Sequence, residues 1–171
     1  RLAITHPGIY RRLVKSMAEL LSNFAVDVIA GIETASIPWA SMVAYELNKG
    51  IIYVRKEAKE HGTARLIEGD LRQGMRVAVI DDVVTTGGSM IRAIRAIRSY
   101  GGDVVVAAAF IDREQGGLDV IRSEGVNAVA LMRITEVINT LTRNGLISDE
   151  LRNSVINYLV STRVSAGTQT T

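Results

Sequence analysis

The feature that most narrows the fold is a recurrence of short, nearly continuous apolar runs, rich in β-branched residues and separated by helical stretches. The runs cover residues 26–30, 51–54, 77–80, 104–110 and 128–131. A strand that is apolar on both sides is covered on both sides. Strands of that kind belong to parallel sheets, whose crossovers are usually helical. The segments between the runs predict those helices. Tyr10, Leu13, Met17, Leu20, Leu21 and Phe24 recur at spacings of three and four, which places them on one helix face. Further helices are expected from about Pro38 to Lys49 and over residues 89–100, 134–144 and 149–159, the last with Ser148 as its N-cap. The expected architecture is α/β, a doubly wound, mainly parallel sheet flanked by helices. A chain of 171 residues suits one such domain, expected over 1–162, and the small polar residues of 163–171 read as a frayed tail.

Composition removes several function classes. Apolar residues make up 47% and charged residues 22%, the balance of a chain that buries a core. The lack of cysteine excludes disulfides, thiolate metal sites and a cysteine nucleophile, and fits an intracellular protein. No apolar run approaches the roughly 18 residues that cross a bilayer, and no signal-peptide pattern opens the chain, so a soluble cytoplasmic protein with no membrane partner is expected. A net charge of +2, with no helix-turn-helix or strongly basic face, argues against a nucleic-acid partner. The chain opens at Arg1 rather than at a methionine, which suggests upstream residues that were cleaved, deleted or not seen.

The segment VAVIDDVVTTGGS, residues 77–89, carries the strongest chemical signal. Its apolar start delivers Asp81 and Asp82 to the carboxyl end of a buried strand, where ligands of open parallel sheets bind. Adjacent carboxylates there can accept hydrogen bonds from vicinal hydroxyls. Val83, Val84, Thr85, Thr86, Gly87, Gly88 and Ser89 then run into a helix N-terminus, offering hydroxyls and open backbone N–H groups to a phosphate. No Gly-Lys-Ser/Thr follows and no G-x-G-x-x-G is present, so neither a Walker loop nor a dinucleotide fingerprint applies. Residue by residue, solvated acids at a strand end and a capped turn remain an alternative; the ordered set argues against it.

This run resembles the motif that type I phosphoribosyltransferases use to bind phosphoribosyl pyrophosphate (PRPP). The resemblance implies a parallel sheet with flanking helices, a mobile catalytic loop, and a smaller hood over the acceptor base. It also implies a Mg²⁺ that accompanies PRPP, held mainly through substrate and near Asp81 and Asp82. Asp81 and Asp82 would hold the ribose hydroxyls, and residues 83–89 would wrap the 5′-phosphate. With so little chain ahead of the first helix, the hood is expected to be incomplete.

Three further segments refine the reading. RKEAKEHGT, residues 55–63, resembles the catalytic loop of orotate phosphoribosyltransferases, which implies catalytic roles for Arg55, Lys56, Lys59 and His61. Those groups could neutralise a departing pyrophosphate, although a solvated charged loop or a loose hairpin over 55–70 fits the composition too. FIDREQGG, residues 110–117, resembles the orotate-binding stretch, which implies that Arg113 grips orotate beside Thr85. A guanidinium fork matches a carboxylate, but Arg113 could instead pair with Asp112 or Glu114. Glu33, Thr34, Ala35 and Ser36 fall in a strand-to-helix loop that resembles the family's pyrophosphate loop, and simple capping by Thr34 or Ser36 remains open. Trp39 and the helical Leu and Met residues read as core, and His6 as an inert loop residue. The implied reaction joins orotate to PRPP, giving orotidine 5′-monophosphate and pyrophosphate, in a homodimer whose loops cross between subunits. A PRPP-sensing regulator and a transferase for another base are the alternatives.

Overall fold

The computed structural model describes residues 2–57 and 66–163. The loop expectation over 58–65, Lys59 and His61 included, and the tail expectation over 164–171 lie outside the described residues. A short 3-10 helix, Leu2–Thr5, precedes α1 (Pro7–Leu21), β1 (Val28–Ile32), α2 (Ile37–Glu46), β2 (Gly50–Val54) and β3 (Ile67–Glu68). Then follow β4 (Arg76–Val84), α3 (Gly88–Ser99), β5 (Asp103–Asp112), α4 (Gly117–Ser123), β6 (Asn127–Arg133), α5 (Ile134–Arg143) and α6 (Asp149–Ser161).

The strands form one sheet in the order β3-β2-β1-β4-β5-β6. Its pairs are parallel except β2 with β3, where Tyr53 faces Glu68 and Val54 faces Ile67 in antiparallel register. The expected doubly wound architecture is thus present. Of the two readings of 55–70, a hairpin is found at the segment's base, since β3 folds back on β2. Helix α4 and the 3-10 helix Leu2–Thr5, which the sequence reading did not separate from neighbouring loops, are added elements.

The central strands β1, β4 and β5 are largely buried because helices cover both sheet faces, as the apolar runs require. On one face α3 and α4 pack Met90, Ile94, Ile97 and Ile121 against Val77, Val79, Ala107 and Ala109. On the other, α1 and α2 pack Met17, Leu21, Trp39 and Val43 against Ile29, Ala78, Ile80 and Phe110. Trp39 sits between Tyr10 and Phe110 at ring-centroid distances of 4.8 and 4.4 Å, so it is a core residue as expected. Among the described residues no helix is long and apolar enough to cross a membrane.

Two neighbouring parallel strands, β1 and β4, send their following helices to opposite faces. Loops that diverge in this way leave a crevice beyond the carboxyl ends of the strands. Residues 33–36 follow β1 and residues 85–87 follow β4, so the two expected phosphate loops flank that crevice.

Candidate active site

Strand β4 is longer than the apolar run alone suggests. Backbone pairing continues through Asp81, opposite Ala109, to Val84, opposite Asp112. Its buried part, Val77 to Ile80, anchors the half-buried Asp81 and Asp82 at the rim, where the Asp82 N–H donates to Asp81 Oδ1 at 2.9 Å. The chain then turns through Thr85 and Thr86 to Gly87, whose φ of +84° is the left-handed conformation that glycine adopts freely. Helix α3 starts there without a side-chain cap. Its first-turn N–H groups face an end of the helix where the dipole favours an anion. A pocket of about 170 Å³ lies at this end, lined by Asp81, residues 83–90 and Arg92.

Arg92 was not among the residues singled out from sequence. It sits one turn into α3, where its Nη2 donates to Ser89 Oγ at 3.3 Å. The i, i+3 spacing from Ser89 is the signal that could have found it.

A larger cleft of about 810 Å³ joins the remaining groups. Thr34 and Ala35 line it from the loop after β1, Lys56 from the end of β2, Asp81, Asp82 and Thr85 from β4 and its loop, and Arg113 from the end of β5. Four separated sequence segments therefore share one cavity. Arg113 is held by its backbone N–H, which donates to Val84 O at 2.9 Å. Among the described residues it forms no ion pair with its acidic neighbours. The Asp112 carboxylate accepts the Glu114 N–H at 2.8 Å, and Glu114 accepts the Thr135 N–H at 3.0 Å. Burial pushes the Asp112 carboxyl above its ordinary value, against the lowering effect of that Glu114 bond.

Arg55 is placed differently. Its N–H donates to Leu66 O at 2.8 Å, and its guanidinium pairs with Glu68 at 3.3 Å. It lines an adjoining pocket of about 420 Å³ rather than the large cleft, whereas Lys56 lines both. The loop after β1 is tied back on itself. Ser36 is fully buried, its Oγ accepting the Ile32 N–H at 2.5 Å and donating to Ile32 O at 2.7 Å. Capping of α2 by Ser36 is therefore not what this hydroxyl does. Glu33 turns its carboxylate onto the Lys56 N–H at 2.9 Å, and the Glu33–Thr34 peptide bond is cis.

No group of three or more His, Asp or Glu side chains is arranged to hold a metal among the described residues. The neighbouring carboxylates Asp81 and Asp82 nonetheless suit a hard cation that takes most of its oxygen ligands from substrate and water.

Comparison with known proteins agrees with this geometry. The phosphoribosyl transferase domain family matches residues 3–126, from the first turn of the chain to just before β6. The orotate phosphoribosyltransferase of Pyrobaculum islandicum is 44% identical over 164 residues, covering 95% of this chain and 84% of that protein. The chain belongs to the orotate phosphoribosyltransferase family. The Sulfolobus acidocaldarius member of this family is 36% identical over 91% of the chain and 78% of its own length. Among solved structures, orotate phosphoribosyltransferase from Aeropyrum pernix superposes with a TM-score of 0.74 at 33% identity, over 81% of this chain and 78% of that one. Leishmania donovani UMP synthase gives 0.85 at 31% identity over 94% of this chain, which spans only 35% of that longer protein.

Proposed function

We propose that the chain transfers the phosphoribosyl group of PRPP to orotate, releasing pyrophosphate and forming orotidine 5′-monophosphate. The observation that carries this reading is the single cleft shared by Asp81, Asp82, Thr85, Lys56 and Arg113, with the capless start of α3 beside it. In this reading Asp81 and Asp82 accept hydrogen bonds from the ribose hydroxyls, and Val83, Val84, Thr85, Thr86, Gly87, Gly88 and Ser89 enclose the 5′-phosphate. Arg92, at the wall of the same small pocket, adds a positive charge to it.

At C1′ the bond to pyrophosphate breaks as the bond to orotate nitrogen forms, through a centre of oxocarbenium character. No protein nucleophile is required; the chain contributes position and electrostatics. Thr34, Ala35 and Lys56 receive the leaving pyrophosphate, joined from the neighbouring loop by Lys59 and His61. Arg113 holds the orotate carboxylate with its guanidinium fork, beside Thr85. Mg²⁺ bound with PRPP would supply neutralising charge to the pyrophosphate oxygens, close to Asp81 and Asp82. The working form is a homodimer in which the part of the loop beyond Lys56, with Lys59 and His61, reaches from one subunit into its partner's cleft, while Lys56 stays at its own.

The test is a spectrophotometric assay of PRPP and Mg²⁺ with orotate, run beside adenine, hypoxanthine and uracil. Magnesium-dependent loss of orotate absorbance, with the other bases untouched, is the expected result. Consumption of another base would replace the acceptor, and PRPP binding without turnover would favour a sensor.

A further inference from the structure

We propose that Glu33 is a positioning residue for the reaction, one whose carboxylate stands in for a missing strand partner and fixes Lys56 at the edge of the cleft. The inference deepens the proposed function and rests on the role given there to Lys56.

Strands β1 and β2 run parallel, with Ile32 opposite Val54 at the end of the paired region. One more rung follows, the Glu33 N–H donating to Val54 O at 2.9 Å. A continuing parallel ladder would next bring the Lys56 N–H to the Glu33 carbonyl, because each residue in such a ladder donates to one side of its neighbour and accepts from the other. The chain has already left the sheet at Glu33 to enter the loop before α2. The Lys56 N–H donates instead to the Glu33 carboxylate at 2.9 Å. Glu33 thus holds the end of β2 by both its backbone and its side chain.

The opposite edge of the same three residues is held as well. The Arg55 N–H, which faces away from β1, donates to Leu66 O at 2.8 Å next to β3. Val54, Arg55 and Lys56 therefore each have a main-chain group fixed, although Arg55 and Lys56 lie beyond the end of β2. A charge-assisted bond from a backbone N–H to an ionised carboxylate is stronger than one to a carbonyl. Glu33 itself lines the cleft, and this bond engages its negative charge there. Lys56 is the only residue from its segment that lines the large cleft among the described residues, so the anchor acts where the chain delivers a cation. A long lysine side chain loses much of its reach if its own Cα is free to drift, since placement within about 1 Å governs transition-state contacts.

The experiment is a double-mutant cycle between Glu33→Ala and Lys56→Ala, with Glu33→Gln as the conservative variant. Glu33→Gln keeps a carbonyl oxygen able to accept the Lys56 N–H and should retain activity within about threefold, while Glu33→Ala should raise the KM for PRPP about tenfold and leave the KM for orotate unchanged. In the Lys56→Ala background the Glu33→Ala substitution should add less than about twofold, because the anchor acts through that side chain. Amide exchange at Lys56 should accelerate in Glu33→Ala and stay slow in Glu33→Gln, with thermal midpoints confirming that both variants fold. Loss of activity in Glu33→Gln equal to that in Glu33→Ala would overturn the inference in favour of a role for the charge itself, as would full additivity in the cycle. If the wild-type chain fails to consume orotate, the proposed function falls, and the amide exchange, which needs no substrate, still decides whether Glu33 holds Lys56.

Discussion

The loop proposed to hold the 5′-phosphate keeps its shape partly through a residue that touches no phosphate in the proposed reaction. Gly117, at the start of α4, donates its N–H to Thr85 O at 2.9 Å, and the two backbones pass so closely that a Cβ built on Gly117 would lie 2.8 Å from both Gly87 N and Val84 Cγ2. Backbone cannot give way as a flexible side chain can. Gly117→Ala should therefore cost about 1–3 kcal/mol of stability by overpacking and should weaken PRPP binding by displacing residues 85–87. Denaturant unfolding and a PRPP titration on the same variant check this. Unchanged affinity in a destabilised protein would mean that α4 supports the fold but not the loop. That Asp81, Asp82, Thr85, Ser89 and Arg113 would gather at one cleft could be expected from the sequence, because each lies in a contiguous segment whose order of residue types is itself unusual. Gly117 entered the sequence reading only as the last residue of the 110–117 stretch. Its importance comes from meeting Gly87, and two glycines distant in sequence carry no pattern that announces a contact.

Among the elements, β1 and β4 bear the site at their carboxyl ends and are clasped together at the other. The Arg76 guanidinium makes a bidentate pair with Asp27, Nε to Oδ2 at 2.9 Å and Nη2 to Oδ1 at 2.6 Å. Each residue also receives or gives a backbone bond, from Arg76 N–H to Asp27 Oδ2 and from Asp27 N–H to Arg76 O. The hydrogen bonds from Arg76 hold the Asp27 carboxyl far below its ordinary value of 3.8. A carboxyl lowered on folding stabilises the native state above the unfolded-state pKa, and that contribution is lost as pH falls through the folded-state value. Asp27→Asn should accordingly lower the thermal midpoint at neutral pH, with the gap to wild type narrowing once the pH drops below about 4. Parallel loss at every pH would assign the effect to packing rather than to charge. Five strands and five helices were legible because apolar runs and helical periodicity are properties of a segment. Helix α4 escaped, and β3 was visible only as part of an expected loose hairpin, for a common reason. Helix α4 spans 7 residues after a glycine pair that reads as a turn, and β3 spans 2 residues inside a charged stretch, so neither is long enough to establish a period.

At the scale of the whole molecule the question is whether, in the proposed homodimer, one subunit or both supply the cations of a site. Arg55 and Lys56 are adjacent in sequence, yet Lys56 lines the cleft with Asp81 and Arg113 while Arg55 lines only the adjoining pocket with Arg92 and Arg95. Neighbouring residues that diverge in this way suit a loop whose base belongs to one site and whose further part belongs to another. If the 55–63 loop acts across a two-fold interface, a variant defective in the loop and a variant defective in the phosphate site should repair one another. Lys59→Ala leaves its own Asp82 intact, and Asp82→Asn leaves its own loop intact. A heterodimer of the two then contains one site with both parts native and one with neither. Random reassociation makes half the dimers mixed, so mixing two nearly inactive proteins should restore about a quarter of wild-type activity when the dimer is isologous. If every loop serves its own subunit, each site in the mixed dimer keeps one lesion and no activity returns. Mixing after mild denaturation, with the activity of each variant alone as reference, distinguishes the two arrangements. Failure of exchange itself is detected by following a size-tagged subunit through the same protocol, so an absence of repair in exchanged dimers counts directly against loop crossing.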